Sequence, residues 1–251
     1  MSSAYRPVLI LHTGDPHADI LHTVGSYARM LRRTAALAER DAHIVPVFQG
    51  AWPGDPSDYS AALITGSPAN VTDRDEWGER TARWLAQAAS QGLPLFGICY
   101  GHQLLAHALG GAVDFNPAGR ETGTGMLQVL AAGRGDPMLA GLPERFPVQL
   151  QHMQTITRLP PGAVSLARTE LDGNQLVRMG ERIVSTQFHP EFPEAVPRAD
   201  LARRGPEYAA EGLDVAALQA GIRPTPEAAT LVRRFLALYA PQVPLQQAAG
   251  T

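Results

Sequence analysis

Apolar residues recur along the chain with two different periods, and the two alternate. Residues 7–12 form a short apolar run around Val8-Leu9-Ile10-Leu11, which predicts a first strand. Residues 26–40 set Tyr27, Met30, Leu31, Thr34 and Leu37 at helical spacing. Residues 43–48 and 61–65 read as strands. Residues 75–90 predict a helix with Trp77, Trp84, Leu85 and Ala88 on one side and Gly92 as its stop. Residues 93–98 are apolar throughout, the pattern of a strand buried on both faces. Residues 102–109 form the next helix, ended by Gly110-Gly111. This rhythm predicts a doubly wound, mostly parallel α/β sheet.

Beyond Gly111 the pattern changes. Strand-like pieces at 126–130, 148–151, 163–168, 175–179 and 182–187 follow one another without long helices, so meander and hairpin pairing on one side of the sheet is expected. Residues 193–226 are rich in Pro, Arg and Glu and predict an irregular, partly helical excursion. Thr225-Pro226-Glu227 then opens a last helix whose apolar face is Leu231, Val232, Phe235, Leu236 and Tyr239. The expected organisation is a domain of residues 1–192, a helical C-terminal extension of 193–240 packed on it, and a loose tail of 241–251.

Composition narrows the function. A chain of 251 residues with 45% hydrophobic content can bury a sizeable core. A formal net charge of −3 without a basic block offers no footprint for nucleic acid or an anionic membrane. No apolar stretch approaches the roughly 18 residues that span a bilayer. The run at 8–11 lacks the length and cleavage site of a signal peptide. A cytoplasmic protein is the expectation. All 21 basic residues are arginine, which excludes a Schiff-base lysine and a lysine-bearing phosphate loop. A single cysteine excludes an internal disulfide framework and any multi-cysteine metal site. No metal or cofactor is expected.

That cysteine sits in "PLFGICYGHQLLAHALGG", residues 94–111, where a strand runs into a helix across Gly97-Ile98-Cys99-Tyr100-Gly101. Gly-x-nucleophile-x-Gly is the pattern of a nucleophile elbow, a turn too tight for bulky neighbours. The side chain at its apex projects above the carboxyl edge of the sheet, and the N–H groups of the following helix favour thiolate over thiol. Free cysteines are also common as inert core residues, so the motif alone leaves both readings open.

A base would decide between them. Of the eight histidines, His17, His22 and His43 lie near the first loops without an acid at a telling spacing, and His107 reads as helix surface or core. The pairs His17/His22 and His102/His107 do not have the i, i+4 spacing of zinc ligands. In "STQFHPEF", residues 185–192, His189 leaves a strand at a proline turn and Glu191 follows on the same side. This is a base with an orienting acid beside it. His-x-Glu also occurs in zinc deaminases, but their cysteine pair is missing here.

Taken together, Gly97-Ile98-Cys99-Tyr100-Gly101-His102-Gln103 and His189-Pro190-Glu191 resemble the two motifs of the class I, triad-type glutamine amidotransferases. The resemblance covers roughly residues 5–192. "LITGSPANV", 63–71, resembles the family's oxyanion strand, and "ETGTGMLQV", 121–129, and "DPMLAGLP", 136–143, are weaker landmarks. It implies a flavodoxin-like amidotransferase fold. Cys99 would attack the γ-amide carbon of glutamine, with His189 as base and then acid and Glu191 orienting it. The backbone N–H groups of Ser67 and Tyr100 would form the oxyanion hole. Gly66, Gln103, Gln151, His152 and Met153 would hold the substrate. The implied partners are glutamine or another γ-glutamyl compound and a separate synthase, since the chain has no nucleotide-binding Ser-Gly-Gly-x-Asp-Ser motif.

Two departures stand out. Gly66-Ser67-Pro68 has serine where many members carry a second glycine. "QHMQTI", 151–156, replaces the usual Ser-His-x-Asp-x-Val, so Gln151 and Gln154 stand for Ser and Asp. Stand-alone relatives with extra C-terminal helices include γ-glutamyl peptidases that act on glutathione-like conjugates, which is the alternative reading. A catalytically inactive binding or scaffold module is the third.

Overall fold

The computed structural model describes residues 6–246. Its first half is β1 (Val8–His12), α1 (Ala18–Thr23), α2 (Tyr27–Thr34), β2 (Ala42–Pro46), β3 (Ala61–Ile64), α3 (Glu76–Ser90), β4 (Leu95–Ile98) and α4 (Tyr100–Ala108). Then come β5 (Ala112–Phe115), β6 (Glu121–Val129), β7 (Arg145–His152), β8 (Gln154–Arg158), β9 (Val164–Arg168), β10 (Leu176–Gly180) and β11 (Ile183–Thr186). Helices α5 (Ala195–Ala210), α6 (Val215–Gly221), α7 (Pro226–Ala229) and α8 (Leu231–Tyr239) follow.

Nine strands form one sheet in the order β2-β1-β3-β4-β11-β10-β9-β6-β7. The first five are parallel. The last four add on antiparallel from β11, the meander expected from the sequence. Both faces of β1, β3, β4 and β11 are buried, while the edge strand β2 exposes His43 and Ile44. Val8 and Ile10 of β1 face Leu31 of α2 and Leu231 and Phe235 of α8. Leu9 and Leu11 face the other way, towards Trp84 and Leu85 of α3 and Leu104 of α4. Two covered faces are why these strands read as unbroken apolar runs rather than alternating ones. Among the described residues, no helix is long and apolar enough to cross a membrane.

Several elements differ from their expected form. The helix expected over 26–40 stops at Thr34, because Ala36 takes a left-handed φ of 55°. Phe48 lies in a 3-10 turn after β2 rather than in the strand. Strands β5 and β8 form a separate antiparallel pair that the apolar pattern does not show. Residues 195–210 are one continuous helix, although Pro206 lies inside it. Its buried face includes Pro197, Asp200, Gly205 and Tyr208, too few large apolar side chains to register as a stripe. The start of the expected loose tail is packed: Val243 is buried, and the N–H of Gln246 donates to the carbonyl of Ala36 at 2.8 Å. Residues 247–251 of that tail lie outside the described residues.

The parallel register positions the site. Gly97 of β4 lies beside Ile64 of β3, and Ile98 beside Thr186 of β11. The segments that leave β3, β4 and β11 therefore emerge side by side at one carboxyl edge. Helix α4 sits directly on the strands there. A Cβ on Gly101 would lie 2.7 Å from the carbonyl oxygen of Ile64 and 2.8 Å from its Cβ. One on Gly97 would lie 2.5 Å from the carbonyl oxygen of Gly101. Gly101→Ala should therefore destabilise the protein by about 1–3 kcal/mol from overpacking, although alanine gains about 1 kcal/mol over glycine in a helix. A lower denaturant midpoint at unchanged m-value is the expected readout; an unchanged midpoint would show that the helix can lift off the strand freely.

Candidate active site

Cys99 occupies the apex between β4 and α4 with φ 51° and ψ −103°. A non-glycine residue in such a conformation stores strain on the order of 1–3 kcal/mol. The neighbouring backbone holds it: the N–H of Cys99 donates to the carbonyl of Thr186 at 2.8 Å, and its own carbonyl accepts from Gln103 at 3.0 Å. Cys99 is the N-cap of α4 and its side chain makes no cap hydrogen bond, so the free N–H groups of the first turn lie at the base of the thiol. The ring of Tyr100 stacks on Trp77 with centroids 5.3 Å apart, which ties the start of α4 to α3.

His189 leaves the end of β11 towards Cys99. Its Nδ1 lies 2.8 Å from Glu191 Oε1, and both side chains are almost fully buried. The imidazole stacks on Phe192 with centroids 3.8 Å apart, and its backbone N–H donates to the carbonyl of Gln149 at 2.9 Å. Nδ1 is engaged by the carboxylate, which leaves Nε2 free, while the Cys99 thiol lies 3.7 Å from the carbonyl oxygen of Gln151. Gly66 lies against both: a Cβ there would be 2.9 Å from His189 Cε1 and 3.5 Å from Cys99 Cβ. Burial alone would push the imidazole down, but the charges of Glu191 and Cys99 outweigh it and raise its pKa to about 10. The arrangement can hold a thiolate beside an imidazolium whose orientation a carboxylate fixes.

The loop after β3 is anchored by Thr13. Its hydroxyl is 2.8 Å from Thr65 Oγ1 and 2.9 Å from the carbonyl of Gly66, and its N–H donates to Thr65 Oγ1 at 3.0 Å. The Ser67 hydroxyl accepts from the N–H of Ala69 at 3.1 Å, so the serine caps its own turn. A cleft of about 280 Å³ opens over these elements, bordered by Ser67, Cys99, Tyr100, His189 and the 151–154 segment.

The expected substrate residues divide into two groups. Gln151 and Met153 border the cleft, and Met153 is exposed. Gln103 borders it too, but its amide nitrogen is committed to the carbonyl of Gln154 and to Gln187 Oε1, both at 2.9 Å. That bond positions the 151–154 segment. The imidazole of His152 is buried between Glu121 Oε2 at 3.0 Å and the carbonyl of Gln154 at 3.1 Å. Gly66 lies beneath the cleft, packed on the imidazole of His189. Glu121, His152 and Asp172 offer ligand atoms within 4.8 Å of one another. Their donors and acceptors are engaged internally, however: Glu121 accepts from Gln175 at 2.6 Å, and Asp172 accepts from Thr155 and the Asn174 N–H at 2.7 and 2.8 Å. His102 is buried against Ser185 at 2.8 Å, and burial with the nearby His152 lowers its pKa to about 3, so it is a neutral core residue.

Sequence reasoning missed one wall of the cleft. Arg120, Asp200, Arg203 and Arg204 border it, the last three from α5. The Arg-Arg pair in a Pro- and Glu-rich stretch was the one visible sign, and nothing in its spacing placed it opposite Cys99.

The family model for "Glutamine amidotransferase class-I" matches residues 20–204, the span that holds all of these edge segments from β3 to β11. The chain belongs to the class I glutamine amidotransferases. Among curated relatives, this amidotransferase is 36% identical over 192 residues to a GMP synthase [glutamine-hydrolyzing] of Thermomicrobium roseum, covering 72% of this chain and 33% of that protein. It is 34% identical over 168 residues to the enzyme of the same name from Aeropyrum pernix, covering 66% of this chain and 31% of that protein. The chain thus spans about a third of the length of these relatives. A glutamine amidotransferase crystal structure from Thermotoga maritima superposes with a TM-score of 0.73 at 19% identity, covering 94% of this chain and 99% of that one. At that identity the likeness shows the shared fold.

The charge pairing at His189 has a measurable consequence. Its pKa lies above the unfolded value near 6.5, so the pairing stabilises the fold fully below that pH and is lost as pH rises through about 10. Glu191→Gln removes the largest raising influence and leaves the charge of Cys99 against burial. Imidazole nitrogen shifts should show His189 losing its proton at a lower pH in the variant than in the wild type. Identical titration of the two proteins would mean that Glu191 does not hold the charge.

Proposed function

We propose that this chain hydrolyses the γ-amide of glutamine through a γ-glutamyl thioester on Cys99 and releases ammonia. The observation that carries this reading is that Cys99, at the free N-terminus of α4, and the hydrogen-bonded pair His189–Glu191 converge over Gly66 at one cleft. Thiolate Sγ attacks the amide carbon, and the backbone N–H groups of Ser67 and Tyr100 receive the negative oxygen. Imidazolium Nε2 protonates the departing nitrogen, and ammonia leaves as the thioester forms. The neutral imidazole then takes a proton from water, whose oxygen attacks the thioester. Glutamate departs and the thiolate–imidazolium pair returns. Dividing amide hydrolysis into these two steps is what a nucleophilic residue achieves.

In this reading the ammonia goes to a separate synthase. The matched relatives are named GMP synthases, and about two thirds of their length has no counterpart here. The domain of 1–192 and the extension of 193–240 act as one unit, because α8 shares the core of β1 and α5 borders the cleft. The γ-glutamyl peptidase reading is the second: Gln151 and Gln154 and the α5 wall alter the part of the cleft beyond the amide. An inactive scaffold is disfavoured, because a strained apex, a buried acid–base pair and a cradling glycine have no structural task of their own.

Two measurements test this. Cys99→Ala should lower kcat by at least about a thousandfold, and Cys99→Ser nearly as much, since a hydroxyl ionises far less than a thiol. Full activity in Cys99→Ala sinks the nucleophile assignment. The second compares release of ammonia from glutamine with release of amine from γ-glutamyl conjugates by the protein alone. Glutamine should be hydrolysed at least as well as any conjugate. A conjugate class preferred by about tenfold in kcat/KM, roughly 1.4 kcal/mol of transition-state binding, would establish the peptidase instead.

A further inference from the structure

Helix α5 brings a charged group to the cleft that the thioester chemistry does not use. Asp200 is 1% exposed, yet it borders the cleft, and it is the only carboxylate among the residues that do. It accepts from the hydroxyl of Tyr208 and from Arg203 Nη2 at 3.1 Å. Its neighbours Arg120 and Arg204 are committed elsewhere. Arg120 bonds Glu211 at 2.7 Å and Glu207 at 3.2 Å, Arg204 pairs with Glu207, and both guanidinium groups lie 4.9 Å from the centroid of the Tyr208 ring. Arg203 is different: its side chain is 39% exposed, and its one ion pair among the described residues is with Asp200.

A second observation points to a missing ligand. Gln154 is 3% exposed and borders the same cleft; its nitrogen donates to Thr72 Oγ1 at 2.6 Å, but its Oε1 has no partner. A buried acceptor without a donor is costly unless something occupies the space before it. Both features border the same cleft as Cys99, and so does Tyr27, which stacks on Phe192 beside His189.

We infer that the amino-acid end of the γ-glutamyl substrate is held by α5, with Arg203 taking the α-carboxylate and Asp200 with Gln154 Oε1 taking the α-ammonium. This rests on the γ-glutamyl reading above. The ammonium needs an anionic partner when it leaves water, and the 151–154 segment, Gln151-His152-Met153-Gln154, contains no carboxylate. An α-amino acid laid antiparallel to the Asp200–Arg203 pair meets opposite charge at both ends. The charge that the segment lacks is thus supplied from a helix outside it.

The test uses the full chain and two probes of Cys99: a diazoketone analogue of L-glutamine, which carries the amino-acid end, and iodoacetamide, which does not. In the wild type the analogue should react faster, and L-glutamate should protect. Arg203→Gln and Asp200→Asn should each slow the analogue by at least about tenfold, the scale of one lost charged hydrogen bond, while iodoacetamide changes by less than about twofold. Arg203→Lys, which keeps the charge and the Asp200 pair, should recover part of the loss. Unchanged analogue rates overturn the inference, as does an equal fall of both probes in all three variants. A wild type whose Cys99 reacts with iodoacetamide but not with the analogue overturns the γ-glutamyl reading itself and this inference with it.

Discussion

The contact of α4 with β3 and β4, backbone against backbone, is the constraint on which the rest of the site depends. Gly97 and Gly101 leave no side chain between helix and strand, and the chain can turn from one into the other within a single residue. That residue, Cys99, is thereby forced into a left-handed conformation that an L-amino acid rarely adopts. The strain is borne by the sheet, through the bond from Cys99 to Thr186, and by the first turn of α4. What results is a thiol where helix N–H groups, a histidine and a cleft coincide.

The second ingredient is register. β3, β4 and β11 are neighbours in space although β4 and β11 are separated by most of the antiparallel half of the chain. Their parallel alignment makes a loop, Cys99 and His189 converge without any of them being near another in sequence. Glu191 needs no such help. The proline turn places it beside His189, and Phe192 then covers the imidazole face, so a short stretch of chain builds the acid–base pair entire.

Much of this was legible because it is local or periodic. The strands of the parallel half declare themselves by continuous apolar residues, the tight turn at Cys99 by its two glycines, and the hydrogen-bonded pair by the adjacency of His189 and Glu191. What was hidden is non-local or polar. Strand β5 finds β8 only through tertiary pairing, and its exposed Phe115 and Asp114 break any alternation. The helix of α5 was masked by Pro197, Gly205 and Pro206: Gly205 is buried because it packs against Val215 of α6, Pro197 is buried in the first turn, and Pro206 faces solvent. The roles of Gln103 and His152 were obscured for a related reason. Both are polar and near Cys99, and it is the fold that engages Gln103 Nε2 and both nitrogens of His152 with other parts of the protein.

The place of α8 has a consequence for how the protein comes into being. Leu231 and Phe235 belong to the same core as Val8 and Ile10 of the first strand, and Phe235 packs on Phe96 directly below the elbow. During synthesis, the part of this face that α2 does not cover therefore stays open until residues 231–239 have been made. The strand leading into Cys99 is translated well before the helix that backs it, so the two halves of this packing are far apart in the order of synthesis.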